Sequence, residues 1–442
     1  MDIARLIDDR PAEGIFRVHR DVFVDPAIFD LEMRYIFEDT WLFIGLESQV
    51  ARPHDFLTTV LGRQPVLVMR DGAGRLGCYL NSCRHRGTLL CPLRAGNQKY
   101  HVCPYHGWAY DSAGGNVAVT GEKDGRYPAC FASENRDLVP VPRFANYRGL
   151  LFASLSADVP SIEEHLGEAR IFVDMLADQS TEGLEFVPGA VTYTFDGNWK
   201  LQIENGLDFY HFSSTHSSYI DLIERRRKAA PEAVVSTRWI NDEPVGQGTF
   251  SFVHGHGVMW SNRNSSNAVR PLALDPEKLD AIRQRVGHTR AKWMLYNRNL
   301  TLFPNVQIVD IASLHVRILR PLAVDKTEMT AHCLAPIGES AEARRRRIRQ
   351  YEDFFNPSGL ATPDDNVMYE NCQAGFTADA AGWTLGYLRG LGESGARDGH
   401  AEELGIAPHG AAYGGISLGD ETCLHAGYRE WRRLLKRGLE AR

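Results

Sequence analysis

The chain lacks any apolar run of about 18 residues, so its sequence offers no candidate membrane span. It also lacks a cationic excess: 49 Lys and Arg stand against 56 Asp and Glu, a formal charge of −7. Nucleic acid and anionic membrane surfaces are therefore poor matches as general partners. The first ten residues carry acids where a secretory signal would place a basic and then an apolar region. Internal repeats and low-complexity tracts are missing too. Cysteine is sparse, eight in 442 residues. Six of these, Cys78, Cys91, Cys130, Cys333, Cys372 and Cys423, show no pairing pattern and are expected to be buried apolar thiols. A reducing, cytoplasmic setting fits them. The rest is ordinary globular composition, 43% hydrophobic and 24% charged, and long enough for two or three domains.

Against that background two short clips stand out: Cys83-Arg-His85 and Cys103-Pro-Tyr-His106. Each pairs one thiolate with one imidazole. A Cys2His2 zinc site usually groups like with like, Cys-x2–4-Cys and His-x3–5-His, which neither clip does. A [2Fe–2S] cluster with two Cys on one iron and two His on the other uses one of each per clip, because imidazole in place of thiolate raises the reduction potential. If each clip is a hairpin tip, both deliver one sulfur and one ring to a single diiron unit.

The pattern around the clips is β-rich. Residues 56 to 158 hold short runs such as Pro-Val-Leu-Val-Met and Gly-Leu-Leu-Phe-Ala-Ser-Leu, punctuated by Asp-Gly and Gly-Gly turns. Before them, residues 26 to 38 have helical apolar spacing after an Asp-Pro start. After Pro160, strands are expected at 192–195, 250–254, 306–311, 314–319 and 328–335, with helices at 197–216 and 340–355, an α+β arrangement. The first of those helices carries His211 and His216, five residues apart, which an ideal helix would splay. Loosening at Ser213-Ser214 is expected to bring them together. Two His and one carboxylate form the facial triad of mononuclear non-haem Fe(II) oxygenases. The acidic pair Asp364-Asp365 can supply the third ligand. A one-electron carrier upstream needs such a terminus.

Taken together, the two clips and Glu-Asn-Gly-Leu-Asp-Phe-Tyr-His in 204–211 resemble the large (alpha) subunit of Rieske non-haem iron aromatic-ring-hydroxylating dioxygenases. Within that family the chain is most similar to the benzoate/anthranilate 1,2-dioxygenase group, through Gly-Arg-Gln-Pro-Val in 62–66, Gly-Asn-Trp-Lys-Leu-Gln in 197–202 and Thr-Pro-Asp-Asp in 362–365. The resemblance implies a Rieske [2Fe–2S] cluster on Cys83, His85, Cys103 and His106, and Fe(2+) on His211, His216 and Asp365. It further implies that Asp208 is a carboxylate bridging an iron-ligand His and a cluster-ligand His of a neighbouring subunit. The implied fold is α+β, with an all-β Rieske domain at 41–158 before a helix-grip-like antiparallel-sheet catalytic domain at 159–442. A helical segment at 1–40 is expected to pack on the catalytic domain. The implied activity is cis-dihydroxylation of an aromatic carboxylate by O2, with electrons from a separate NADH-dependent reductase, directly or through a ferredoxin. A small (beta) subunit is implied, three large with three small. The alternatives are a Rieske monohydroxylase, of salicylate for example, and an electron carrier with a ligand-binding domain.

Other features carry less. Gly390-Leu-Gly-Glu-Ser-Gly395 matches the dinucleotide fingerprint but follows a segment, Trp383 to Leu388, that reads as helical, whereas the fingerprint needs a preceding strand. Arg344 to Arg347 with Arg349 reads as a solvated or salt-bridged helix face. His254 and His256 read as loop or core histidines. For a substrate carboxylate, Arg317 and Arg320 on the strand at 314–320 and Asn205 on the iron helix are the candidate partners.

Overall fold

The structure, a computed structural model, describes residues 2–229, 246–262, 270–311, 313–391, 399–414 and 419–441. The chain forms two compact units, Phe37–Ile162 and the combination of Met1–Ile36 with Glu163–Arg442.

The Phe37–Ile162 unit is built from three antiparallel sheets. The largest runs Leu76–Leu80, Gln64–Arg70, Asp55–Leu61, Ala95–Asn97, and a second runs Asn116–Ala118, Ala109–Asp111, Tyr100–Val102. In the first, Val66 to Met69 are all buried, as an apolar run flanked by a strand on each side should be. It ends where Asp71 turns the chain, its carboxylate accepting from the backbone N–H of Ala73 and Arg75. The second clip sits on the tip between the paired strands Tyr100–Val102 and Ala109–Asp111, as expected of a hairpin. The first clip does not. It leaves Leu76–Leu80 at one edge of the four-stranded sheet, and the chain re-enters as Ala95–Asn97 at the other edge. Two intervening strands make this a crossover loop rather than a hairpin.

In the second unit the framework is an antiparallel sheet in the order Leu184–Phe186, Lys326–Pro336, Leu314–Ala323, Val306–Asp310, Asn297–Leu302, Gly257–Ser261, Gln247–Ser251, Gly410–Gly414. Val191–Phe195 pairs with the other half of Lys326–Pro336. This is the α+β catalytic framework anticipated from the sequence. Four central strands are buried along their whole length. Their polar–apolar alternation therefore does not separate solvent from core. Phe250 and Trp260 point to one face and pack with Trp293. Gln247, Ser261, Asn297, Asn299, Thr301, Gln307 and Arg317 share the opposite, polar face by their register. The strand expected at 250–254 in fact ends at Ser251, with a helical turn at Val253–Gly255.

The helix expected at 197–216 is broken. Asn198 caps it through Lys200 N, and Trp199–Asn205 is helical. Gln307 then reaches across from the sheet and donates to the carbonyls of Gln202 (2.9 Å) and Ile203 (3.3 Å). A Cβ on Gly206 would come within 1.8 Å of that amide nitrogen, so a side chain there would push the amide off those carbonyls. The chain turns through 207–211, forms one turn at Phe212–Thr215, and restarts at Ser217–Ala229. The break thus lies at Gly206 and at His216 rather than at Ser213-Ser214. Glu32 anchors the first piece, accepting from Trp199 Nε1 (2.8 Å), Lys200 Nζ (2.5 Å) and Trp431 Nε1 (2.6 Å).

Three further expectations need correction. The N-terminal segment is not wholly helical: a hairpin of Ile7–Arg10 and Ile15–His19 precedes helix Pro26–Glu32. Trp383–Thr384 adds a strand to that hairpin, so 383–388 is a short strand and a tight turn rather than a helix. Most of the glycine-rich stretch at 390–395 lies outside the described residues. Cys130 and Cys372 are exposed, unlike the other four unpaired thiols.

Candidate metal centres and substrate cavity

The two clips have the same loop geometry. In one, Cys83 N–H donates to Thr88 O and Cys83 O accepts from Gly87 N–H; in the other, Cys103 N–H donates to Trp108 O and Cys103 O accepts from Gly107 N–H. Gly87 and Gly107 have φ of 73° and 72°, the left-handed region in which a side chain is strained. Cys83 and Cys103 are buried in one apolar cluster with Trp108 and Tyr110. The rings of His85 and His106 lie 4.3 Å apart, and His85 stacks on Trp108. His85 Nδ1 is buried without a hydrogen-bond partner. The donor set therefore presents two sulfurs inside and two imidazoles at the loop tips, the arrangement that mixed thiolate and imidazole ligation of a [2Fe–2S] cluster requires.

In the larger unit the kinked segment brings His211 and His216 onto Asp365. Their ligand atoms all lie within 4.8 Å of one another. His216 Nε2 is 3.2 Å and His211 Nε2 is 3.6 Å from Asp365 Oδ1. Each imidazole is also held from behind: Asp208 Oδ2 lies 3.0 Å from His211 Nδ1, and Asp364 Oδ2 lies 3.4 Å from His216 Nδ1. Asn205 Nδ2 donates to Asp365 Oδ1 at 3.1 Å and lies 3.3 Å from His211 Nε2. Both acids of the 364–365 pair are thus used, one on the convergent side and one behind. Burial works against a charge on His211, but its hydrogen bond to Asp208 and the charges of Asp208 and Asp365 together outweigh that and raise its pKa. Burial would push Asp365 up, yet the hydrogen bond from His216 and the charges of His216, His211 and Arg317 hold it below the usual carboxylate range. A compact anionic pocket results, suited to a divalent ion with open positions.

Those positions face a cavity of about 350 Å³. Its walls are largely apolar, from Phe209, Phe212, Tyr219, Ile223, Phe354 and Phe355, while Asn297, Asn299 and Arg317 close the sheet side. Of the candidate carboxylate partners, Arg317 and Asn205 line this cavity. Arg320 is exposed and pairs with Glu328 at 3.3 Å, and Asn205 is engaged with the triad. His256 is a core histidine, contacting His165 O and accepting from Phe303 N–H. Arg344 and Arg347 are salt-bridged to Glu339. Sequence reasoning missed Gln307, Gly206 and the second role in the acidic pair. The one available signal was the polar alternation in strands flanked by apolar runs.

Residues 186–437 match the family of ring hydroxylating alpha subunits (catalytic domain), and residues 40–130 match the Rieske [2Fe-2S] domain. The 2-halobenzoate 1,2-dioxygenase large subunit of Burkholderia cepacia is 42% identical over 99% of this chain and 93% of its own. The anthranilate 1,2-dioxygenase large subunit of Acinetobacter baylyi is 39% identical over 98% and 92%. Among solved structures, a naphthalene 1,2-dioxygenase from Rhodococcus sp. bound to indole superposes with a TM-score of 0.80 at 25% identity, covering 95% of this chain and 94% of that one.

Proposed function

Because the chain belongs to the family of ring hydroxylating oxygenase alpha subunits, we propose that it cis-dihydroxylates an aromatic carboxylate of the benzoate or anthranilate type. Two relatives over nearly the whole chain are named for 2-halobenzoate and anthranilate, both aromatic acids. The observation that carries this reading is the convergence of His211, His216 and Asp365 on the floor of an apolar cavity with a buried arginine in its wall.

In this reading Cys83, His85, Cys103 and His106 hold the cluster, and His211, His216 and Asp365 hold the iron. When bound, the two groups supply single-electron delivery and activation of O2. The residues around them do the positioning. Asp208 and Asp364 fix the imidazole rings by accepting from Nδ1, which directs both Nε2 atoms to the metal. Phe209, Phe212, Phe354 and Phe355 shape an aromatic slot and exclude water from it. For benzoate the reaction balances as acid, O2, NADH and a proton giving the carboxylated cis-diol and NAD+. The reductant comes from a separate reductase, with or without a ferredoxin, and a small subunit completes an assembly of three large and three small chains.

The test is a product assay of the reconstituted enzyme on benzoate, 2-halobenzoates, toluates, anthranilate and salicylate, with toluene as the uncharged control. Carboxylated cis-diols from benzoate and the toluates, with one O2 and one NADH consumed per turnover, are expected. Hydroxylated acids carrying a single new oxygen would make it a monohydroxylase. Toluene reacting as readily as the acids would remove the aromatic-acid assignment.

A further inference from the structure

Of the described residues lining the cavity, Arg317 alone carries a fixed positive charge. It sits in strand Leu314–Ala323 and is 2% exposed. Its Nη2 donates to Thr362 Oγ1 at 3.4 Å, and its guanidinium lies 5.1 Å from the centre of the Phe355 ring. Among the described residues no carboxylate lies within ion-pair distance, and Nε and Nη1 have no hydrogen-bond partner. The other deeply buried arginines of this unit are paired: Arg270 and Arg298 with Asp310 at 2.6 and 2.5 Å, Arg347 with Glu339 at 2.8 Å. Burying a charge without a partner is costly. A guanidinium left with unused donors in a cavity wall has the form of a site whose partner arrives with the ligand, since two parallel N–H groups match a carboxylate.

Its position also says which ring atoms come near the metal. Thr362, which Arg317 contacts, opens the helix Thr362–Gly375 one turn before Asp365. Arg317 is near enough for its charge to be felt by both Asp365 and His211. The polar groups of the far wall are neutral, among them Asn299, Asn297 and Ser261. The strand of Asn297 and Asn299 is separated from that of Arg317 by Val306–Asp310, so it lies about 10 Å away at the usual strand spacing. An acid held there would lie two strands from Arg317 with no cation to pair with. We propose that Arg317, with Phe355 packed against its guanidinium, anchors the substrate carboxylate and so holds the carboxyl-bearing carbon and its neighbour over the metal. This rests on the aromatic-acid reading and adds the residue that would set the position of attack carried in the names of its 1,2-dioxygenase relatives.

The experiment compares wild type with Arg317→Gln and Arg317→Lys as holoenzymes with reductase. Benzoate and its neutral analogue benzamide are the substrates. Binding of radiolabelled benzoate by equilibrium dialysis and iron content are measured on the same preparations. Losing a charge-assisted pair should weaken benzoate binding and raise its KM by about 10- to 100-fold in Arg317→Gln, with kcat changed less. The preference for benzoate over benzamide should collapse, and Arg317→Lys should recover part of it. Wild type should place both oxygens on the carboxyl-bearing carbon and its neighbour. Arg317→Gln with iron and benzoate affinity like wild type would overturn the assignment, as would wild-type diols at ring positions remote from the carboxyl group. Loss of iron in both variants would overturn it in favour of a role in holding Asp365. Failure of wild type to oxidise any aromatic acid is a separate result, because it removes the parent reading whatever the variants do.

Discussion

At the scale of single residues, two neighbouring aspartates with the same chemistry have different roles, because the helix turn points them to opposite sides of one imidazole. Asp365 is 4% exposed and meets both Nε2 atoms, whereas Asp364 meets only Nδ1 of His216. Asp365→Ala is therefore expected to abolish iron binding. Asp364→Ala should keep a site with iron affinity weakened by about 10- to 100-fold, the usual cost of losing a carboxylate behind a metal-bound His. Iron titration decides this, with the cluster absorbance of each variant as the internal control for folding. An Asp364→Ala protein without iron beside an iron-loaded Asp365→Ala would reverse the two roles. The candidate donors were partly legible in the sequence: spacing separates the two clips from zinc patterns, the clips in turn single out His211 and His216, and the choice of Asp365 within its pair came only with the family resemblance. The division of labour between Asp364 and Asp365 was not legible, because it depends on the direction from which a distant segment arrives. The isolation of Arg317 was hidden for the same reason: sequence shows a cation but not the absence of an acid beside it.

Elements follow a similar logic. The iron segment reads as one helix because its periodicity is helical on both sides of Gly206. Gln307, about a hundred residues later, ends the helix by taking its carbonyls, and no local pattern encodes that contact. Upstream of the break, Glu204 is half-buried, accepting from Tyr387 Oη at 2.7 Å and from Tyr428 Oη. Burial raises its pKa to about 7; the two tyrosine hydrogen bonds pull the other way, and the nearby charge of Asp208 adds to the rise. The folded value lies above the ordinary 4.5, so the folded chain holds this proton more tightly than the unfolded chain. Its stabilising contribution is complete below about pH 4.5 and is lost as pH rises to about 7, at roughly 1.4 kcal/mol per unit within that window. Glu204→Gln does not titrate and keeps an oxygen for the tyrosines. Its denaturant midpoint, relative to wild type, should therefore move upward between pH 5 and pH 8, followed by tryptophan fluorescence. An unchanged difference between pH 5 and pH 8 would mean that the folded chain does not hold this proton above its ordinary range.

On the scale of the whole molecule, the chain carries an electron-transfer centre and an oxygenation centre in separate compact units, and each is rimmed by apolar side chains left in water. Around the clips, Leu89, Val102 and Tyr105 are 44%, 57% and 58% exposed. Beside the triad, Tyr210 is 55% exposed, and Val367 and Met368, just past Asp365, are 50% and 42% exposed. Exposed apolar groups clustered at a functional site mark a contact surface. Asp208, which holds His211, lies in the same rim with its side chain 20% exposed. Its oxygens already accept from Tyr210 N–H, His211 N–H and His211 Nδ1, but a carboxylate has lone pairs for a further donor, and a His106 ring at a loop tip has the matching form. Electrons are accordingly expected to pass from the cluster of one subunit to the iron of its neighbour. Co-expression of differently tagged His106→Ala and Asp365→Ala chains, followed by purification through both tags, isolates the mixed assemblies. Neither variant alone should turn over substrate: one lacks an intact cluster and the other lacks iron. In a mixed ring, a chain with an intact cluster can sit beside a chain with intact iron, so activity should return to a fraction of wild type. The Asp208→Asn change, introduced into the His106→Ala chain, keeps an acceptor oxygen for His211 and should then suppress the recovered turnover by far more than it lowers the iron content, with the cluster content unchanged. Verified mixed assemblies that remain inactive would show that electrons travel within one chain, because neither variant then contains a complete route.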